Sequence, residues 1–240
     1  YYYGHCGSLD MAPYVYVESG KVTASPDRIT VNHDYKGFWR EGPTGSDFNH
    51  TLVTPHFVDL ARNYIEERAK TGTPFFLYLP LPSPHTPILP ITEFMGKSNT
   101  NMYGDFVMQV DWHMGQIMKT LEEAGVADDT LFIFTSDNGC SPRAEFKELD
   151  AVGHKPGGIY RGNKADAYEA GHRVPFITHW PNGIKAGQTS DATICLTDLF
   201  ATMADITNSK TPKNAAEDSV SFLPALKGKA KQVREGTVHH

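Results

Sequence analysis

Three short apolar runs, each bounded by turn or polar residues, constrain this 240-residue chain more than any other feature. They are "PFFLYLPL" (74–81), "LFIFT" (131–135) and "VPFITHWP" (174–181). A continuous apolar run of this kind suits a strand buried on both faces. Around them the pattern changes to helical spacing. From Thr54 to Lys70, Phe57, Leu60, Ala61, Tyr64 and Ile65 fall at helical intervals, and Gly72 stands where a helix end favours glycine. From Tyr103 to Ala124, Phe106, Val107, Val110, Met114, Ile117, Met118 and Leu121 form one stripe, closed by Gly125. "TDLFATMADIT" (197–207) reads as a further short helix. This order predicts an α/β fold, a mostly parallel sheet with helices on both faces. Residues 1–50 read as loop apart from a short hairpin in "PYVYVESGKVT" (13–23), and 139–172 as a glycine-rich loop.

Composition narrows the function classes. Hydrophobic content of 40% and charged content of 21% are those of a globular chain. The formal charge of -6 and the lack of any basic run argue against nucleic acid. No apolar stretch reaches the roughly 18 residues of a membrane span. Cys6, Cys140 and Cys195 form no zinc or redox pattern and allow at most one disulfide. Asn49-His50-Thr51 matches a glycosylation triplet, a weak signal. The chain opens "YYYG" and closes "VHH", so it is expected to be an internal piece of a longer protein, cut at both ends. The oligomeric state is not legible.

The strand "FIFTSDNG" (132–139) ends in Asp137 and Asn138, followed by Gly139. The bland reading is a turn; the sharper one is a pair of hard oxygen ligands for Ca²⁺ or Mg²⁺ at the carboxyl end of a strand. His85, in "PSPHTP" after the first run, is a turn residue or an imidazole stiffly mounted between Pro84 and Pro87 for acid or anion work. Lys164, two residues after Gly162 in the loop leading into the third run, is a solvated lysine or an anion ligand. A parallel sheet would bring all three loops to one edge. His172 and Arg173 would contact an anionic substrate or cap the next strand. His5, Asp10 and Tyr14 would line a pocket or remain ordinary loop residues. Asp111 and His113, two apart on the long helix, do not share a face and so read as a solvated or packing face.

"PFFLYLPLPSPHTPI", "TLFIFTSDNG" and "YRGNKADAYEAGHRVPFITHWP", in this order and spacing, resemble the type I sulfatases of the alkaline phosphatase superfamily, across most of residues 50–207. The opening "GHCGSLDMAPYVYVE" is similar to the substrate loop of sulfatases acting on sugars. The resemblance implies that Asp137 and Asn138 are ligands of one Ca²⁺. It also implies that His85 contacts the sulfate and the leaving oxygen, and that Lys164 binds a sulfate oxygen. His172, Arg173, His5, Asp10 and His240 become substrate-binding candidates, with His239 and His240 in a substrate-contacting segment.

The family nucleophile is a formylglycine made from a C/S-x-P/A-S/A-R motif, and none occurs here. "CSPR" (140–143) is superficially similar, but its Arg falls one position early and it is fused to the metal motif. An early Asp-Asp pair and a Lys-x-His segment are also missing. Formylglycine is therefore expected in a segment N-terminal to this chain. Residues 1–210 would be the central and C-terminal part of the catalytic domain, and 211–240 the start of the connection to a smaller subdomain. The implied activity is hydrolysis of a sulfate ester, carbohydrate by the tyrosine-rich opening, with this chain alone inactive. The implied partner is a sulfated small molecule or glycan, and the implied location is secreted, periplasmic or lysosomal. A phosphodiesterase or phosphonate hydrolase of the same superfamily and a non-catalytic sugar-binding homologue are the alternatives.

Overall fold

The computed structural model describes residues 1–238. The chain divides into two compact units, residues 1–126 with 138–173, and 127–137 with 174 onward.

The first unit opens with small antiparallel layers. β1 (Tyr3–His5) pairs with β2 (Tyr16–Glu18), and β2 with β3 (Lys21–Val22) across a turn in which Ser19 and Gly20 both have positive φ. β4 (Pro26–Asn32) and β5 (Trp39–Gly45) form a second antiparallel ladder, with register shifts at Pro26/Arg28 and Thr30/Asn32. Tyr14 ties the first layer to the second. Its N–H donates to Pro43 O, and its carbonyl accepts from Gly45 N, both at 2.8 Å. Aromatic side chains fill the space behind: Leu9, Tyr14, Tyr16, Phe48 and Val53 are buried together, with Tyr3, Trp39 and Phe57 against them.

Two long helices follow. α1 (Val53–Thr71) buries Val53, Val58, Ala61 and Ile65, a stripe at helical spacing. Gly72 ends it in the left-handed conformation at φ 62, where a side chain would be strained. α2 (Met102–Glu123) starts at Asn101, whose Oδ1 accepts from Tyr103 N and Gly104 N, and buries Phe106, Val110, Ile117 and Leu121. Arg62 Nε donates to Thr120 Oγ1 at 2.9 Å, joining the two helices. Two short helices, α3 (Phe146–Ala151) and α4 (Glu169–His172), lie in the segment 138–173.

The second unit is built on β6 (Phe132–Thr135) and β7 (Phe176–His179), which pair in register Phe132↔His179 to Thr135↔Phe176. α5 (Asp198–Ile206) and α6 (Leu223–Leu226) follow. The buried Asp198 carboxylate accepts from Cys195 N at 2.8 Å, from Val220 N at 2.9 Å and from the Arg234 guanidinium. A buried charge satisfied three ways fixes the chain around the start of α5.

Helices and strands are both present, as in an α/β fold, and both long helices and two of the three apolar strands form where the pattern places them. The pairing differs from the expected parallel sheet. The ladders among the described residues are antiparallel, and the only parallel contact in them is a single bridge, Tyr14↔Thr44. For β6 and β7 the cause is visible. The chain leaves β6, makes the excursion 138–173 and returns to its point of departure, where Gly139 N donates to Gly171 O at 2.9 Å. A strand that starts where its neighbour ended runs antiparallel. The run 74–81 forms neither helix nor strand and joins no ladder among the described residues. Phe76 and Tyr78 on one side are 74% and 76% exposed, while Phe75, Leu77 and Leu79 are half-buried. The apolar run has only one face covered. The β4–β5 ladder was not expected in a region read as loop. His239 and His240 lie outside the described residues.

Candidate active site

The excursion 138–173 carries four of the candidate residues, Asn138, Lys164, His172 and Arg173. Its neck is a close backbone contact. A Cβ on Gly139 would lie 1.7 Å from Ala170 O, and one on Gly171 would lie 2.1 Å from Asp166 O. Both positions therefore require glycine. The neck brings the residues that follow Asn138 against the loop that holds Lys164: Lys164 N donates to Cys140 O at 2.9 Å. Lys164 is half-buried, between Gly162 at φ 99 and Ala165 at φ 74. Cys140 lies in the wall of this junction. Burial pushes its thiol up, which marks a structural rather than a reactive cysteine.

Asp137 is exposed and Asn138 half-buried, at the end of β6. Ser136 Oγ donates to Asp137 Oδ1 at 3.5 Å, and Asn138 Nδ2 to Gly139 O at 3.2 Å. A carboxylate and a carboxamide are oxygen donors of the kind Ca²⁺ takes, but that ion needs six to eight oxygens. Among the described residues there is no group of three or more His, Cys, Asp or Glu able to hold a metal. The donor chemistry fits calcium, and the donor number requires further ligands.

His85 is held from one side. Its Nδ1 lies 2.7 Å from Thr86 O and 3.4 Å from Ser8 Oγ. Nδ1–H donating to the carbonyl assigns the other nitrogen, Nε2, to ligand chemistry. Ser8 was not singled out from sequence. It links the opening loop to His85, and a serine among eight loop residues gives no pattern by which to find it.

His172 and Arg173 close α4 and its C-cap, and Glu169 engages both. Arg173 Nε donates to Glu169 Oε2 at 2.6 Å, and His172 Nε2 stands 4.0 Å from Glu169 Oε1. The Arg173 guanidinium also lies 4.7 Å over the Tyr160 ring, and that of Arg161 lies 3.9 Å over Tyr168. His5 belongs to the aromatic layer. Its ring packs edge-on against Phe48 at 5.1 Å and Tyr14 at 6.3 Å, and Nδ1 accepts from Gly7 N at 3.1 Å. Burial lowers its pKa from 6.5 to about 4, so it is neutral at pH 7. Asp10 pairs with Arg40 at 3.4 Å. On the long helix, His113 is buried beside Gln109, whose Nε2 is 3.3 Å from its Nε2, while Asp111 is exposed.

The Sulfatase family model matches residues 17–209. An N-acetylgalactosamine-6-O-sulfatase of Bacteroides thetaiotaomicron is 35% identical over 268 aligned residues, covering 95% of this chain and 51% of that protein. Human steryl-sulfatase is 39% identical over 165 residues, 68% of this chain and 28% of that protein. A solved structure from work on the metabolism of multiple glycosaminoglycans by Bacteroides thetaiotaomicron superposes with a TM-score of 0.85 at 32% identity, covering 97% of this chain and 56% of that one. The chain thus spans about half the length of the first of these relatives and less of the second. No helix among the described residues is long and apolar enough to cross a membrane.

Proposed function

The chain belongs to the sulfatase family, and on that premise we propose that the protein containing it hydrolyses sulfate esters of a carbohydrate. The observation that supports the site is the neck of the excursion, which sets Lys164 against the residues that follow Asp137 and Asn138. The sugar preference draws on the named N-acetylgalactosamine-6-O-sulfatase relative and on the tyrosine-rich opening layer.

In this reading Asp137 and Asn138 offer two oxygens to one Ca²⁺, with the remaining ligands from elsewhere in the protein. Bound there, calcium would draw charge from the sulfate oxygens. Formylglycine, from a motif this chain does not contain, would supply the nucleophile. The chain's own residues do the rest. Lys164 places an ammonium against a sulfate oxygen and offsets the charge that grows as the S–O bond to the alcohol lengthens. His85, as the imidazolium with Nδ1–H held by Thr86 O, delivers its Nε2 proton to the departing alcohol oxygen and is left as the neutral Nδ1–H form. His172 and Arg173, together with His5 at the end of β1 and Asp10 in the loop beyond it, are proposed to contact the remainder of the substrate. Residues 1–210 would then be catalytic-domain sequence, and export follows from the resemblance.

The test is sulfate release from N-acetylgalactosamine-6-sulfate by the protein carrying this chain with its flanking segments. Lys164→Ala is expected to lower kcat about 10²–10³-fold, the loss typical of one transition-state charge partner. His85→Ala is expected to lower it by about 10²–10⁴, less for a substrate with a good leaving group such as 4-nitrophenyl sulfate. Chelation by EGTA should abolish turnover and calcium restore it. Residues 1–240 alone should release none. Preferential hydrolysis of a phosphodiester, or activity indifferent to both substitutions, would overturn the reading.

A further inference from the structure

Lys164 occupies a turn whose construction goes beyond what an exposed lysine needs. Asp166 N donates to Asn163 O at 3.0 Å, closing a four-residue turn with Lys164 and Ala165 at its centre. The same aspartate reaches back, and its Oδ2 accepts from Asn163 N at 2.9 Å. Both backbone groups of Asn163 are thus bound to one residue. Ala165 has φ 74, in the region normally left to glycine or asparagine, so the turn is held in a shape its own sequence does not favour.

Two glycines fit the turn to its surroundings. A Cβ at Gly162 would meet the Asp166 side chain at 3.3 Å, and one at Gly171 would meet Asp166 O at 2.1 Å and Asn163 O at 2.9 Å. Lys164 N is meanwhile bound to Cys140 O. The backbone on either side of the lysine is fixed, and only its flexible stem remains to be placed. A lysine otherwise loses much rotamer freedom when it engages an anion, and a fixed origin reduces what has to be ordered.

We propose that Asp166 is a positioning residue for Lys164, acting as a hydrogen-bond acceptor that holds the Asn163–Asp166 turn. The inference rests on the sulfatase reading for the role of Lys164 and adds the residue through which that lysine is aimed.

The experiment compares Lys164→Ala, Asp166→Ala, Asp166→Asn and the Lys164→Ala/Asp166→Ala pair in the protein with its flanking segments. It follows 4-nitrophenyl sulfate turnover and competitive inhibition by inorganic sulfate. Asp166→Ala is expected to lower kcat by about 10-fold or more, since small misplacements of a catalytic group reach about 10²-fold. Asp166→Asn keeps an oxygen acceptor and should stay within about threefold of the parent. The double variant should be no slower than Lys164→Ala alone, because a residue acting through Lys164 has nothing left to position. Inhibition by sulfate should weaken in Asp166→Ala and be retained in Asp166→Asn. If Asp166→Ala does not fold, Asp166→Ser, whose hydroxyl accepts more weakly, serves in its place. Parent-like turnover in Asp166→Ala, loss in Asp166→Asn equal to that in Asp166→Ala, or a further loss in the double variant would overturn the proposal. Parent-like turnover in Lys164→Ala would instead overturn the role given to the lysine.

Discussion

The aromatic opening layer and the excursion 138–173 are held together by opposite means. In the opening layer, side chains carry the structure: Tyr14, Tyr16, Phe48 and His50 are buried against one another, with ring centroids 4.5 to 6.0 Å apart, and Trp39 stacks on His50 at 3.9 Å. In the excursion few large side chains are buried, Leu149 being one. There, carbonyls and glycines do the work, through Gly139 to Gly171, Lys164 to Cys140 and Asp166 to Asn163. A layer of rings responds to lost volume, and a closed backbone neck responds to added volume.

Substitutions that exchange the two kinds of damage test this contrast. Phe48→Ala, which removes a ring 2% exposed, should lower the global unfolding free energy by about 3–5 kcal/mol in a urea titration. Gly171→Ala, with its Cβ 2.1 Å from a carbonyl, should destabilise by about 3 kcal/mol. Its effect should fall on the excursion, read as faster proteolysis near Ile159, which is 93% exposed. Faster cutting near Ile159 in Phe48→Ala, matching that in Gly171→Ala, would dissolve the contrast.

The opening layer should also respond to acid. Burial holds His5 and His50 at about 4 against an ordinary 6.5, with His5 and Arg28 adding to the effect at His50. The unfolded chain binds protons on them that the folded chain refuses, so stability is lost as pH falls from about 6.5 toward 4. His50→Gln should flatten that stretch of the stability profile, and an unchanged slope would remove these histidines from the account. The smallest effect belongs to Tyr14→Phe. It deletes the hydroxyl that donates to Arg40 O at 2.7 Å and keeps the ring, for about 1 kcal/mol.

The two regions also differ in how well the sequence announced them. Periodicity placed α1 and α2 to within a residue or two, because each buries one long stripe. It missed β4 and β5, where Ile29 and Val31 are exposed and Pro26, Gly42, Pro43 and Gly45 hide the alternation. It overstated 74–81, since composition alone does not reveal that Phe76 and Tyr78 lack a covering neighbour. The meeting of Lys164 with the residues after Asn138 was expected from parallel strands and arises instead from the Gly139–Gly171 neck. Motif residues stood out as candidates because their chemistry is distinctive. Ser8 and Asp166 were not, because a hydroxyl and a turn aspartate are common and only their partners set them apart.

A segment whose two ends meet across one hydrogen bond is a module from the standpoint of inheritance. Insertions or exchanges between Gly139 and Gly171 leave the Thr135↔Phe176 register unaltered, because the distance the segment must span is already closed. Lineages sharing this ladder are therefore free to change the length and side chains of the 145–160 stretch while keeping the neck. Variation in length and sequence is expected to accumulate there, with drift suppressed at Gly139, Gly162 and Gly171.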